Sequence, residues 1–309
     1  MDPVEALQRL GGVATLGELI GPTTRGQVRG AERTGEILRL RHNRYALVDT
    51  DHQRSQAIAA GGVLSHLSAA LHWGWAVKHP PVTACVTMPR GSRKPTGDLE
   101  VRWAVVPESD THRHVTRRAR TVVDCARAYD FDVALAVADS ALREGEVSRH
   151  ELLHAAARAP RIGRSKAIAV IEAADARAAN PFESVIRAIA LGVPGLRVEP
   201  QGEVAGVGWV DLLDRRLGIV IEADSFEFHG TREGLRRDVR RYTDFTRRGL
   251  VVVRFTWEEA MFQAEYVHQA LVDTVRRQTN HHVASSTLSV PRPRSVQAGH
   301  RRTGDMVVP

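Results

Sequence analysis

The spacing of apolar positions divides the chain into four stretches, 1–50, 51–178, 179–278 and 279–309. In the first, Val4, Leu7 and Leu10 recur at helical spacing before Gly11-Gly12 stops the helix. Thr15-Leu16-Gly17-Glu18 has the capping-box pattern and opens a short helix to Ile20. Thr23 or Thr24 can cap a third helix through Arg25, Val28 and Arg33, ending at Gly35. Two short strands, 37–40 and 45–48, are joined by the turn His42-Asn43-Arg44. Three short helices followed by a hairpin predict a winged helix.

Residues 51–178 predict a mixed, mostly helical region: a helix over 65–71, strands over 82–88 and 100–106, then helices near 121–128, 131–143, 148–157 and 166–178. No chemistry is assigned to it. His112 and His114 alternate as on a metal-binding strand, but nothing nearby completes a site, so they read as loop histidines. From Asn180 the pattern changes to a helix with Phe182, Ile186 and Ile189 on one face, then strands over 196–204, 209–213 and 217–224. Asp214-Arg215-Arg216 makes the tight turn between the last two strands. A helix over 232–247, an apolar strand over 250–256 and a helix over 257–277 complete the order α-β-β-β-α-β-α. A hairpin combined with a crossover predicts a mixed sheet, so the fold class is α/β (α+β). The last stretch, rich in Ser, Thr, Pro, Gly and Arg, predicts a disordered basic tail.

Composition alters this picture little. Of 309 residues, 43% are hydrophobic and 26% charged, ordinary values for a globular chain. No apolar run approaches the roughly 20 residues of a membrane span. The N-terminus has neither the basic start nor the apolar stretch of a signal peptide. Cys85 and Cys125 sit in apolar surroundings and read as reduced core thiols of a cytoplasmic protein. The net charge of +7 favours a polyanionic partner. Lysine, however, occurs only at Lys78, Lys94 and Lys166 while arginine and alanine abound, as in a GC-rich genome. The charge therefore supports a motif argument and cannot replace one.

That argument comes from the carboxylates. Asp211 interrupts the apolar run Trp209–Leu213, and Glu222 and Asp224 end the run Ile219-Val220-Ile221. Their i, i+2 spacing places Glu222 and Asp224 on one strand face. With the turn at Arg215-Arg216, Asp211 falls opposite or diagonal to Glu222. Burying such acids together is costly unless a cation neutralises them, and oxygen ligands of this kind suit Mg²⁺ or Mn²⁺. A water acidified by such a metal can attack a phosphodiester. An exposed hairpin pair is the plainer alternative. Asp224 could instead cap the following turn. Basic residues suit DNA as the partner. The third helix of the winged helix offers Arg25, Gln27, Arg29 and Arg33 to the major groove, and the wing offers Arg39, Arg41 and Arg44 to phosphates. The helix over 232–247 adds Arg237 and Arg241, although Asp238 and Asp244 can neutralise part of that cluster at helical spacing.

An acid on the first helix, an Asp on one hairpin strand and Glu-x-(Asp/Glu/Lys) on the next resembles the PD-(D/E)XK nuclease plan. The string Glu222-Ala223-Asp224-Ser225-Phe226-Glu227-Phe228-His229, with Arg237-Asp238, Arg241, Gly249, Val253-Arg254-Phe255 and Trp257, is similar to the Vsr-like branch, related to very-short-patch-repair endonucleases. The stretch 1–50, and more diffusely Gly61 to Leu71 and Thr121 to Asp124, resembles AbiEi-type antitoxins. The resemblance implies Asp211 and Glu222 as metal ligands with Asp224 beside them, where many relatives place lysine. It implies Glu183 on the first helix as support for that site. Asn180 and Glu183 also fit a capping box. With no lysine after Lys166, the resemblance makes His229 the candidate to orient or deprotonate water, against the alternative of an ordinary loop histidine. Ser225 departs from the glycine that many relatives carry. Two functions are expected: a metal-dependent DNA endonuclease or nickase, a homodimer if it cuts both strands, or a non-catalytic regulator or antitoxin-like protein with a toxin partner.

Overall fold

The computed structural model describes residues 1–10, 12–224 and 232–288. It is a mixed α/β chain with three sheets. The first unit comprises α1 (Pro3–Arg9), β1 (Val13–Thr15), α2 (Leu16–Ile20), α3 (Arg25–Thr34), β2 (Ile37–Arg41) and β3 (Arg44–Leu47). Thr15 and Thr24 both close capping boxes, with Glu18 and Gln27. Leu7, Leu19, Val28, Ile37 and Tyr45 make the core. The sheet order β1-β3-β2 completes a winged-helix arrangement. Sequence periodicity missed β1, because three residues are too few to show alternation.

The middle region holds α4 (Asp49–Ala59), β4 (Val63–Leu64), α5 (His66–His72), β5 (Ala84–Met88), β6 (Leu99–Trp103), β7 (Thr111–His112), β8 (Val115–Thr116), α6 (Arg118–Ala128), α7 (Phe131–Arg143), α8 (Arg149–Arg158) and α9 (Arg164–Ala173). Its sheet has five strands in the order β6-β5-β4-β8-β7, where two strands were expected. The extra three are two-residue strands, below the length at which alternation can be read. Trp75, Val122, Leu135, Leu152 and Ile171 pack the helical core beside it.

The third unit runs α10 (Pro181–Leu191), β9 (Glu199–Val204), β10 (Gly208–Asp214), β11 (Ile219–Asp224), α11 (Arg232–Arg247), β12 (Val251–Thr256), α12 (Trp257–Phe262) and α13 (Ala264–Leu288). The sheet order is β12-β11-β10-β9, parallel between β11 and β12 and antiparallel elsewhere, the mixed sheet expected. Phe182, Ile186, Leu212, Ile221, Phe255 and Leu271 join α10, α12 and α13 to the sheet through one core cluster. Phe245 of α11 packs with Val204, Leu213 and Val220 in another. The β10–β11 turn is held by buried Asp214, which accepts from the amides of Leu217 (2.9 Å) and Arg197 (2.8 Å). Gly218 in that turn has φ of 63°, open to glycine at no steric cost. Two details differ from expectation. The last helix breaks at Gln263, and α13 continues to Leu288, into the stretch expected to be an irregular tail. Residues 289–309 lie outside those described. No helix among the described residues is long and apolar enough to cross a membrane.

Candidate metal and nucleic-acid site

The strand register builds the site. Leu212 pairs with Ile221, so Asp211 lies opposite Glu222; Val210 pairs with Gly202 and Leu212 with Pro200, so Gln201 lies on the other side of Asp211. Glu222 in turn pairs with Arg254 of β12. Gln201, Asp211, Glu222 and Arg254 thus form one row across four strands. Gln201 has φ of 51°, an uncommon left-handed backbone for a non-glycine residue. Its Nε2 donates to Glu183 Oε2 at 3.0 Å, bringing the first turn of α10 to the row. Sequence reasoning missed Gln201, since a glutamine on an edge strand carries no chemical signal until the register sets it beside Asp211.

Glu183 holds two posts at once. The amide of Ala179 and Nδ2 of Asn180 each donate to it at 2.9 Å, and its own amide donates to Asn180 Oδ1 at 3.0 Å. It therefore secures the start of α10 while facing Asp211. Burial, and then the charge of Asp211, push its carboxyl up to about 7. Burial and Asp211 likewise push Glu222 up to about 8, and burial raises Asp211 itself. Asp211 Oδ2 accepts from the amide of Ala223 at 2.8 Å. Arg241 donates to Glu222 Oε1 at 2.8 Å and to the carbonyl of Trp209, with its guanidinium 5.4 Å from the Phe245 ring. Asp224, two residues on from Glu222, lies near enough for its charge to help raise Asp211. It pairs with Arg254, whose guanidinium stacks 4.4 Å over Tyr242, because both side chains stand on the same face of neighbouring parallel strands.

Glu183, Asp211 and Glu222 are thus brought together, with Asp224 beside them and paired with Arg254. His229 lies outside the described residues, as do the side chains of Arg41 and Arg237. Among the described residues no group of three or more His, Cys, Asp or Glu side chains is arranged as a metal cage. The donor chemistry nevertheless fits a hard cation. Mg²⁺ keeps several waters and takes one or two carboxylates plus substrate phosphate, and a cluster whose ionisation is opposed by burial and mutual repulsion is relieved by such an ion.

Two side chains expected at DNA also make contacts within the chain. Arg44 donates to Glu144 Oε1 and to the carbonyl of Gly74, both at 2.6 Å, so this wing arginine ties the winged helix to the middle region. The side-chain oxygen of Gln27 is spent on the Thr24 amide at 2.9 Å as part of the α3 cap. Arg25, Arg29 and Arg33 are exposed on α3.

The raised carboxyls give a pH dependence of known sign. A carboxyl whose folded pKa is above its unfolded value favours the fold fully below the unfolded value and loses that contribution as pH rises through the folded one. For Glu222 the window runs from about 4.5 to about 8. Metal-free protein is expected to lose about 2–4 kcal/mol across it from this group. Glu222→Gln should show a shallower fall of melting temperature between pH 5 and pH 9. Equal slopes in thermal denaturation with EDTA would contradict the burial argument.

No protein-family profile and no curated protein sequence matches the chain. Among solved structures, the crystal structure of the RV2827C protein from Mycobacterium tuberculosis shares 14% identity over 65% of this chain and 83% of that one, with a TM-score of 0.31. A likeness at that score carries no argument about fold or function.

Proposed function

We propose that the chain is a divalent-metal-dependent DNA endonuclease or nickase of the Vsr-like, PD-(D/E)XK kind. The observation that carries this reading is the convergence of buried Glu183 and Glu222 with half-buried Asp211, from α10, β11 and β10, where burial and mutual charge push all three carboxyls up. Asp211 and Glu222 would hold Mg²⁺ or Mn²⁺, with Glu183 beside them. The ion would supply the positive charge that acidifies an attacking water and neutralises phosphate oxygens. Arg241 keeps Glu222 oriented, and the amide of Ala223 fixes Asp211. Arg25, Arg29 and Arg33 of α3 would enter the major groove of duplex DNA. Reduced Cys85 and Cys125, both buried and free, suit work in the cytoplasm. Cutting both strands with one site per chain would take two copies.

The test is incubation of the full chain with supercoiled plasmid in Mg²⁺, Mn²⁺ or EDTA. Nicked or linear product only with metal supports the reading. No product from folded protein with either metal counts against it. A second reading is favoured by the ion pairs Arg241–Glu222 and Arg254–Asp224, which neutralise two of the acids without metal. On that reading the chain is a DNA-binding regulator, antitoxin-like and with a toxin partner. Duplex binding would then be lost in Arg29→Ala and unaffected by metal.

A further inference from the structure

The β7–β8 hairpin of the middle region turns through Arg113 and His114. Thr111 pairs with Thr116 and His112 with Val115, so these two residues are the whole turn. Their φ angles are 48° and 65°. Two successive left-handed residues are the type I′ pattern, the turn that asks most strongly for Asn-Gly or Asp-Gly. Arginine and histidine hold it at a cost that glycine would not incur. The surrounding fold enforces the strain. The His114 carbonyl accepts from the Leu64 amide at 2.8 Å, and the Thr116 carbonyl from the Trp73 indole at 2.9 Å. Arg54 of α4 donates from Nε and Nη2 to the Arg113 carbonyl, at 3.4 and 3.2 Å. Strain held this firmly at an exposed turn points to a use for the side chains it presents.

His112, Arg113 and His114 are all exposed, and Arg54 brings a second guanidinium to the turn. Among the described residues no carboxylate pairs with Arg54 or Arg113. The acids nearest in sequence, Glu108 and Asp110, stand at the opposite end of the hairpin, and Asp110 is taken by Arg120. α4 follows directly on β3 of the winged helix, and Arg54 lies five residues into it, roughly 8 Å from that unit. Unpaired guanidinia on a rigid protrusion suit the phosphates of a polyanionic backbone. We infer that the Arg113-His114 turn is a second DNA anchor, gripping duplex phosphates beside the stretch that α3 occupies. The inference rests on duplex binding by the winged helix, which both functional readings share, and is indifferent to whether the chain cuts.

The full chain in EDTA is titrated by fluorescence anisotropy with a labelled duplex of roughly 30 base pairs, about three helical turns, over a range of salt concentrations. Arg113→Asn with His114→Gly installs the residues the turn prefers. This variant should melt about 2–4 °C above the parent. It should nevertheless bind duplex about three- to ten-fold more weakly, with the slope of log affinity against log salt reduced by about one. Arg113→Lys with His114→Gly keeps the cation and should recover most of the affinity. A more stable Asn-Gly variant with the parent's affinity and salt slope would overturn the anchor, and so would one that melts below the parent, since the side chains would then serve the fold. Binding that Arg29→Ala weakens and the Asn-Gly variant does not would overturn the anchor and leave the winged helix as the DNA reader. No duplex binding by the parent at low salt would remove both. Duplex binding that depends on Arg113, from a protein that never cuts, would leave the anchor standing and remove the nuclease.

Discussion

Asp211→Asn is expected to lose metal-dependent cleavage by more than about a hundred-fold while making the metal-free protein more stable above neutral pH. The first half follows from the place of Asp211, whose charge is felt by both Glu183 and Glu222. If the site holds a cation, this carboxylate is the one shared by its neighbours, and charge stabilisation by such an ion accounts for several kcal/mol of a phosphodiester barrier. The second half follows from repulsion. Asp211 helps raise both Glu183, to about 7, and Glu222, to about 8. Removing its charge should let both ionise more readily. Asparagine is the informative choice because its Oδ1 can still accept from the Ala223 amide, which alanine would leave unsatisfied inside the sheet. Plasmid cleavage and EDTA melting curves at pH 8 test both halves. Lost cleavage together with a large fall in melting temperature would make Asp211 a structural residue. Retained cleavage would remove it from the site.

The sequence made the strand carrying Asp211 and the strand ending at Glu222 legible because each acid interrupts an apolar run, a signal that needs no neighbour to be seen. The order of the third unit and its mixed sheet were legible for the same reason: its strands are six or seven residues long and its helices carry clear apolar stripes. Other features depend on partners remote in sequence. Gln201 becomes notable only through its register with Asp211 and its bond to Glu183. Asp224 and Glu222 look equivalent along the strand, and only the fold shows that they pair with different arginines, Arg254 on the next strand and Arg241 on α11. Arg44 reads along the sequence as a wing phosphate contact, and only the docking of the wing reveals its pair with Glu144. Charge patterns read along one segment cannot reveal such pairings.

Another remote pairing lies one turn along the helix that carries Glu183. Nη2 of Arg187 on α10 donates to both carboxylate oxygens of Asp139 on α7, at 2.6 and 2.7 Å, with side-chain exposures of 4% and 0%. Asp139 also accepts from the amide of Asp175 at 2.7 Å, and Arg187 donates to the carbonyl of Ala173. Burial raises the Asp139 carboxyl against the opposing pull of Arg187, so neither partner could be buried comfortably without the other. Asp139→Ala strands a guanidinium whose Nε already lacks an acceptor. The expected cost is about 3–5 kcal/mol, a fall in melting temperature of at least roughly 6 °C. Asp139→Leu with Arg187→Met removes both charges and keeps volume, so the double variant should melt above Asp139→Ala. A double variant melting below it would show that the pair is worth more than the isolation of its charges. The double variant has a further use. α10 is capped by Asn180 and carries Glu183 one turn before Arg187, so the pair anchors the helix that presents Glu183 to Asp211. If the double variant folds but Mn²⁺ affinity by calorimetry falls in step with that of Glu183→Gln, the middle region is a structural part of the metal site. Unchanged affinity would confine the pair to stability and leave the bonds from Ala179, Asn180 and Gln201 as what holds Glu183 in place.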